Sequence, residues 1–155
     1  MVVLIAVIGY IGIGNMETIN SNAADVTNDD LKNIENLQQI NSNTLHIRLE
    51  IVNLVEGRDA SKSANIINTI KDLRKQDDDL ITQYEKSELN SDEKDLLLQL
   101  KKYLKDYRDS GDQIIQLVSQ SNYESAMNLN IQSSELRKKA TDLLDKLVQI
   151  LFSPA

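Results

Sequence analysis

Few side chains in this sequence could carry out covalent or metal chemistry. Its 155 residues include one histidine, His46, and no cysteine, so neither a thiolate metal site nor a cysteine nucleophile can be built. A di-iron carboxylate centre in a helical bundle needs Glu-x-x-His on two helices, but Asn43 stands three residues before His46. The sequence also has no glycine-rich phosphate loop. We therefore expect no catalytic residue, no metal and no cofactor, in a protein that is not an enzyme.

Polar residues within the apolar pattern of the helices are more informative. Arg48 falls at a seam-compatible position of the first predicted helix, together with Asn41, Thr44 or Leu45, and Val52. A buried guanidinium is costly unless it is paired. The sequence therefore predicts that Arg48 has a carboxylate partner or access to water; the alternative is that it points outward.

Asp77 is the polar seam residue of the second predicted helix. With tight turns its height matches Asn41 on the first helix and Lys101 or Lys102 on the third, so we expect a hydrogen bond or salt bridge that fixes register. The run Asp77-Asp78-Asp79 does not predict a cation site, because successive helical residues point about 100° apart. A solvated face is the better interpretation of that run.

The elements that position these residues are predicted to be helices. After residue 14 the chain contains only two glycines, Gly57 and Gly111, and its one proline is Pro154. Because the turns of a sheet protein draw on glycine and proline, and the chain is rich in straight-chain helix formers, the predicted fold class is all-α. The formal net charge of −7, with basic residues interspersed among more numerous acids, argues against nucleic acid as a partner.

Hydrophobic spacing divides the chain into helices at about 17–56, 63–87, 91–119 and 122–152. Apolar residues of the last two follow a 3-4-3-4 repeat, typical of helices packed at a shallow angle. Asn90 with Glu93, and Ser121 with Glu124, form capping-box patterns at their starts. Short connections make consecutive helices antiparallel, so residues 17–152 are predicted to form an antiparallel up-down-up-down four-helix bundle.

Two features of the first helix point to further partners. Its apolar residues cover more than one stripe, and a surface helix needs only one, so we expect a homodimer contact through this helix. Residues 1–16 carry no charge, although a membrane span needs roughly 20 apolar residues. We interpret 1–16 as the remnant of a truncated first transmembrane helix; a cleaved signal peptide is the alternative.

Short sequence patterns along nearly the whole chain resemble those of one family. Their order and spacing are similar to the four-helix-bundle sensor domains of bacterial methyl-accepting chemotaxis proteins. The matching segments are IGYIG at 8–12, IENLQQI at 34–40, YEKS at 84–87, DEK at 92–94, YR at 107–108, NYESA at 122–126 and LLDKL at 143–147.

The resemblance implies the extracytoplasmic sensor domain of a chemotaxis receptor at the cell membrane, a parallel homodimer that binds a small molecule and passes a helix displacement across the membrane. In that family, arginines of the first helix can hold small anions across the dimer interface. This makes Arg48 a candidate ligand residue, accompanied by Thr44 and Asn41, and at a similar height on the fourth helix by Asn130, Gln132 and Ser133. Two alternatives remain: the ectodomain of a sensor histidine kinase, and a bundle that binds a protein partner such as a periplasmic binding protein.

Overall fold

The computed structural model describes the backbone of residues 2–58 and 60–152, and the side chains of residues 28–58 and 61–152. The described backbone forms four α-helices and no strand, which confirms the all-α prediction for this part of the chain. The helices are α1 (Val2–Gly57), α2 (Ala60–Tyr84), α3 (Ser91–Ser119) and α4 (Tyr123–Phe152). The chain divides into two units, Met1–Asn33 and Ile34–Ala155, and the core described below belongs to the second.

The capping box predicted at the start of α3 is confirmed. The Asn90 side-chain oxygen accepts a hydrogen bond from the Glu93 backbone N–H at 2.9 Å, and Glu93 Oε2 accepts one from the Asn90 N–H at 2.9 Å. Tyr84, the last residue of α2, donates its hydroxyl proton to Glu93 Oε1 at 2.9 Å. The same carboxylate therefore holds the start of α3 and the end of α2.

The capping box predicted for α4 at Ser121 is wrong. Ser121 adopts a φ of 59°, and the N–H groups of Ser121 and Asn122 donate to the carbonyls of Val118 and Leu117 at 2.9 Å. This is the Schellman pattern that ends a helix, so Ser121 completes α3 and cannot begin α4. Asn122 precedes α4 instead, and its side-chain oxygen lies 3.4 Å from the N–H of Ser125.

Two apolar clusters form the core, and each takes residues from all four helices. The first cluster uses the earlier part of the core-forming stretches of α1 and α3 and the later part of α2 and α4; the second cluster uses the reverse. The first contains Leu37, Ile40, Ile81, Tyr84, Leu97, Leu100, Leu104, Ala140, Leu143, Leu144 and Leu147. The second contains Ile47, Ile51, Leu54, Val55, Ile70, Leu73, Tyr107, Ile114, Val118 and Ala126.

The seam predicted for α3 from its 3-4-3-4 repeat is buried throughout, from Leu97 to Val118. Gly111 belongs to this seam, and a Cβ atom there would lie 2.7 Å from an Arg74 guanidinium nitrogen and 3.4 Å from Ile51 Cδ1. The missing side chain of Gly111 therefore lets Arg74 of α2 cross over α3.

The outer surface of α1 keeps two large apolar side chains in solvent, Leu45 at 43% and Leu49 at 57% exposure. Among the residues whose side chains are described, no helix has an apolar stretch long enough to cross a bilayer. The predicted membrane remnant at 1–16 lies outside those residues.

Candidate functional site

A layer of buried polar side chains lies between the two apolar clusters. Asn43 and Thr44 of α1, Asp77 of α2 and Ser133 of α4 are each no more than 3% exposed. In sequence, each falls between residues of the first cluster and residues of the second. We call these four residues, with the half-buried Arg108 of α3, the polar layer.

Asp77 is the centre of the polar layer. Its Oδ1 accepts a hydrogen bond from Asn43 Nδ2 at 2.9 Å, and its Oδ2 lies 3.6 Å from Arg108 Nη2. Gln39 in turn donates to Asn43 Oδ1 at 2.8 Å. Burial raises the pKa of Asp77 to about 6, although the Asn43 hydrogen bond and the Arg108 charge act in the opposite direction. Burying a carboxylate is costly unless it is paired, so these partners hold α1, α2 and α3 in one register.

The predicted role of Asp77 is thus confirmed, but its predicted partners are wrong. Asn43 shares the buried face of α1 with Ile40 and Ile47, whereas Asn41 lies two residues away and is only half-buried. On α3, Lys101 binds Glu85 at 2.7 Å, on the exposed surface of the bundle. The guanidinium that reaches Asp77 comes from Arg108, seven residues further along α3.

Two arginines cross reciprocally between α2 and α3. Arg108 Nη1 donates to Asp78 Oδ1 at 2.6 Å, and its Nη2 donates to the Arg74 carbonyl at 3.2 Å. Arg74 repeats this arrangement, with Asp112 Oδ1 at 2.6 Å and the Arg108 carbonyl at 3.1 Å. Each arginine lies four residues before the aspartate that receives the other one. We call these four residues the arginine clasp.

Sequence analysis missed the arginine clasp, because Asp78 was assigned to a solvated face. Asp78 and Asp112 are indeed 62% and 63% exposed, so each ion pair contributes at most about 1 kcal/mol. The repeated Arg-x-x-x-Asp spacing on two adjacent helices was the available signal. The two carbonyl acceptors could not be inferred from it, because they depend on how closely α2 and α3 approach.

The six residues predicted to bind a ligand do not form one site in the described chain. Arg48 is exposed, which corrects its predicted seam position: the buried face of α1 passes through Ile47, and the next residue points about 100° away. Asn41 and Asn130 are half-buried and Gln132 is exposed. Thr44 and Ser133 belong to the polar layer, inside the bundle.

The two buried hydroxyls of the predicted set differ in their bonding. Ser133 Oγ donates to the Asn130 carbonyl of its own helix at 2.9 Å. Thr44 Oγ1 is buried without a hydrogen-bond partner. Leaving such a group unsatisfied costs about 1–3 kcal/mol, so Thr44 marks a place where another arrangement of the helices could gain a hydrogen bond.

Arginine side chains from three helices surround the hydroxyl of Tyr107, which belongs to the second cluster. Burial raises the pKa of Tyr107, and the positive charges of Arg137, Arg48 and Arg74 act in the opposite direction. Arg48 therefore influences the bundle interior electrostatically although its side chain is exposed. Sequence analysis did not single out Arg137, because one basic residue on a helix rich in charge carries no distinctive pattern.

Three grooves open on the described surface, and none is lined by the six predicted ligand residues. One of about 530 Å³ lies between α1 and α2 and includes Glu50, Gly57 and Lys62. One of about 450 Å³ lies between the end of α1 and the start of α4, where the Arg58 guanidinium stands 5.0 Å from the Tyr123 ring centroid. The third, of about 880 Å³, runs along α2 and α3 over the arginine clasp.

Comparison with known families agrees with this architecture. Residues 1–152 match a family described as a four helix bundle sensory module for signal transduction. The chain therefore belongs to this family, the four-helix-bundle sensory modules of methyl-accepting chemotaxis proteins. Neither the curated proteins nor the solved structures that were searched gave a match.

The buried carboxyl of Asp77 predicts that the protein becomes more stable on mild acidification. Its pKa is about 6 in the folded chain against 3.8 for the ordinary group, so the folded state holds this proton more tightly. The resulting stability is fully present below about pH 4 and is lost as the pH rises through 6. At about 1.4 kcal/mol per pKa unit, the change in the free energy of unfolding is at most about 3 kcal/mol.

Urea denaturation near pH 4.5 and pH 7.5 measures this change. Asp77→Asn should abolish most of the difference between wild type and variant in pH dependence, whereas Asp95→Asn, at an exposed site of α3, should leave it. Equal pH dependence in wild type and Asp77→Asn would show that this carboxyl does not titrate in the expected range.

Proposed function

We propose that this chain is the extracytoplasmic sensor domain of a chemotaxis receptor, which binds a small molecule and passes a helix displacement across the membrane. The observation that carries the proposal is the match to a sensory-module family over residues 1–152. The chemistry of the described residues supports a binding role, because its polar groups form structural contacts and surface grooves.

We further propose that the four helices alternate in direction, up-down-up-down. The two apolar clusters support this topology, because the first joins Leu37 and Ile40 of α1 to Leu143 and Leu147 of α4, and the second joins Leu54 to Ala126. The beginning of α1 and the end of α4 then lie at the same end of the bundle. Residues 1–16 would attach that end to the membrane as the outer part of a transmembrane helix.

A second copy of the chain is the proposed partner of the outer face of α1. Leu45, Leu49 and the half-buried Val52 follow a 4-3 spacing on that face, which is the spacing of a seam between two helices. Exposed leucines at such spacing are stabilised when a partner helix covers them. Arg48 lies between Leu45 and Leu49, so a parallel homodimer would bring two copies of Arg48 to one interface.

The proposed ligand is a small anion bound by Arg48 at this interface. Asn41 lies seven residues before Arg48 and therefore on the same face of α1, where its amide can donate a further hydrogen bond. Thr44 and Ser133 lie inside the bundle and would respond to binding through movement of the helices. The planar guanidinium of Arg48 suits a carboxylate, which it can bind with two parallel hydrogen bonds.

The helix proposed to move is α4. Among the described residues, α4 makes no hydrogen bond or ion pair to another helix, whereas α1, α2 and α3 are joined through Asp77 and the arginine clasp. α4 is held by apolar packing and by cation–π contacts such as Lys139 over the Tyr103 ring at 5.3 Å. A ligand shifts such an equilibrium only by its differential affinity for the two arrangements, and Thr44 offers a hydrogen bond that one arrangement leaves unmade.

Thermal denaturation of the 155-residue chain in detergent tests the anion site. A library of small organic acids should contain anions that raise the melting temperature, by several degrees for about 3 kcal/mol of stabilisation at saturation. Arg48→Ala should remove the shift, and Lys71→Ala, which removes an exposed positive charge on α2, should keep it. A shift that survives Arg48→Ala would contradict the site, and no shift with any acid would favour a protein partner.

Disulfide cross-linking tests the homodimer. The chain has no cysteine, so a single Leu49→Cys variant should form a covalent dimer rapidly on oxidation, because the two copies of position 49 meet. Leu98→Cys is the matched control, since Leu98 is 70% exposed on α3, away from the proposed interface. Equal rates for the two variants would argue against an interface on α1.

Cross-linking within one chain tests the displacement of α4. Cysteine pairs placed along α1 and α4 should cross-link at rates that change when a stabilising anion is added. The control pair Glu85→Cys with Lys101→Cys joins α2 to α3 at an ion pair of 2.7 Å and should be insensitive to the anion. Unchanged α1–α4 rates at saturation would refute the mechanism.

A further inference from the structure

The groove between α1 and α2 has the dimensions and lining of a small-molecule site. Its volume of about 530 Å³ is within the range of about 300–1,000 Å³ common for ligand pockets. Leu54 and Ile66 give it an apolar surface, and Asn53 and Asn65 add amide groups that can donate and accept hydrogen bonds. It lies wholly within residues 50–69 and therefore needs no second copy of the chain.

Opposite charges line the two ends of this groove. Glu50 lies seven residues before Gly57, the last residue of α1, which places it about 10 Å from the turn at 1.5 Å per residue. Lys62 lies two residues after the start of α2, about 3 Å from the turn. The acid and the base are therefore separated by about 7 Å along the groove. Glu50 is 19% exposed and its Oε1 lies 3.3 Å from His46 Nε2, which fixes the carboxylate at one end.

Folding does not account for the glycine in the groove wall. Gly57 does not have a positive φ, and a Cβ atom there would meet nothing within 4 Å. The left-handed position that usually takes glycine after a helix is occupied by the next residue, Arg58, with φ 47°. A non-glycine residue in that conformation costs roughly 1–2 kcal/mol, and the Arg58 contact with Tyr123 offsets part of it.

The consequence of glycine at 57 is an open groove. Backbone conformation would permit a larger residue there, and alanine would favour the helix. A side chain at 57 would instead project into the space beside Lys62, because both residues line this groove. The sequence thus keeps the space empty where the fold alone has no use for it.

We propose that the α1–α2 groove binds an elongated dipolar molecule, an ω-amino acid, with its ammonium group at Glu50 and its carboxylate at Lys62. The methylene chain would lie against Leu54 and Ile66. A five-carbon ω-amino acid places its nitrogen and carboxyl carbon five bonds apart, roughly 6 Å at about 1.2 Å per bond, which fits the separation of the two side chains. An α-amino acid carries both charges at neighbouring atoms and cannot reach both ends.

Isothermal titration of the 155-residue chain in detergent with 5-aminopentanoate tests this site. Pentanoate and pentylamine each lack one of the two charges and should bind at least about tenfold more weakly, a difference of about 1.4 kcal/mol or more. Glu50→Gln should weaken 5-aminopentanoate by a similar factor, and Gly57→Leu should abolish binding by filling the groove. Glu135→Gln, at an exposed site of α4, should leave the affinity unchanged.

The outcomes separate this site from the proposed anion site. Arg48→Ala should leave 5-aminopentanoate binding intact, because Arg48 does not line the groove. The absence of binding, equal affinity for pentanoate, or unchanged affinity in Glu50→Gln would each overturn the α1–α2 site and leave the Arg48 proposal standing. Loss of binding in Arg48→Ala would also overturn it, by placing the ligand elsewhere.

Discussion

Burial of the Asp77 carboxylate is the constraint on which the arrangement of the first three helices depends. An ionised carboxylate in an apolar core is tolerated only with partners, and those partners are Asn43 of α1 and Arg108 of α3. A shift of either helix by one turn, about 5.4 Å, would separate Asp77 from one of them. Apolar clusters tolerate many registers because leucine and isoleucine contacts are not directional; the polar layer selects one.

This constraint divides the bundle into a tied part and a less tied part. The arginine clasp joins α2 to α3 at four hydrogen bonds, and Asn43 adds α1 through Asp77. Ser133, the contribution of α4 to the polar layer, satisfies its hydroxyl within its own helix. A sensory module needs one element that can move against a firm reference, and this distribution of polar contacts supplies such a contrast.

Regular patterns made much of the fold predictable, and ambiguity limited the site. The α3 seam and the Asn90 capping box follow from local spacing, and both are present. Arg48 was misplaced because α1 has two apolar stripes, so periodicity alone cannot decide which one faces the core. Ser121 satisfied a capping pattern, but the turn needed a residue of positive φ there. The partners of Asp77 and the arginine clasp depend on the register between helices, which local sequence does not encode.

The reciprocal form of the arginine clasp has an evolutionary consequence. Each guanidinium binds the backbone carbonyl of the other arginine, and a carbonyl oxygen remains available whatever side chain stands at that position. Loss of one arginine would therefore remove half of the clasp and leave the other half bound. Among relatives of this chain, positions 74 and 108 can drift one at a time, while the pairings of 74 with 112 and of 108 with 78 should covary in charge.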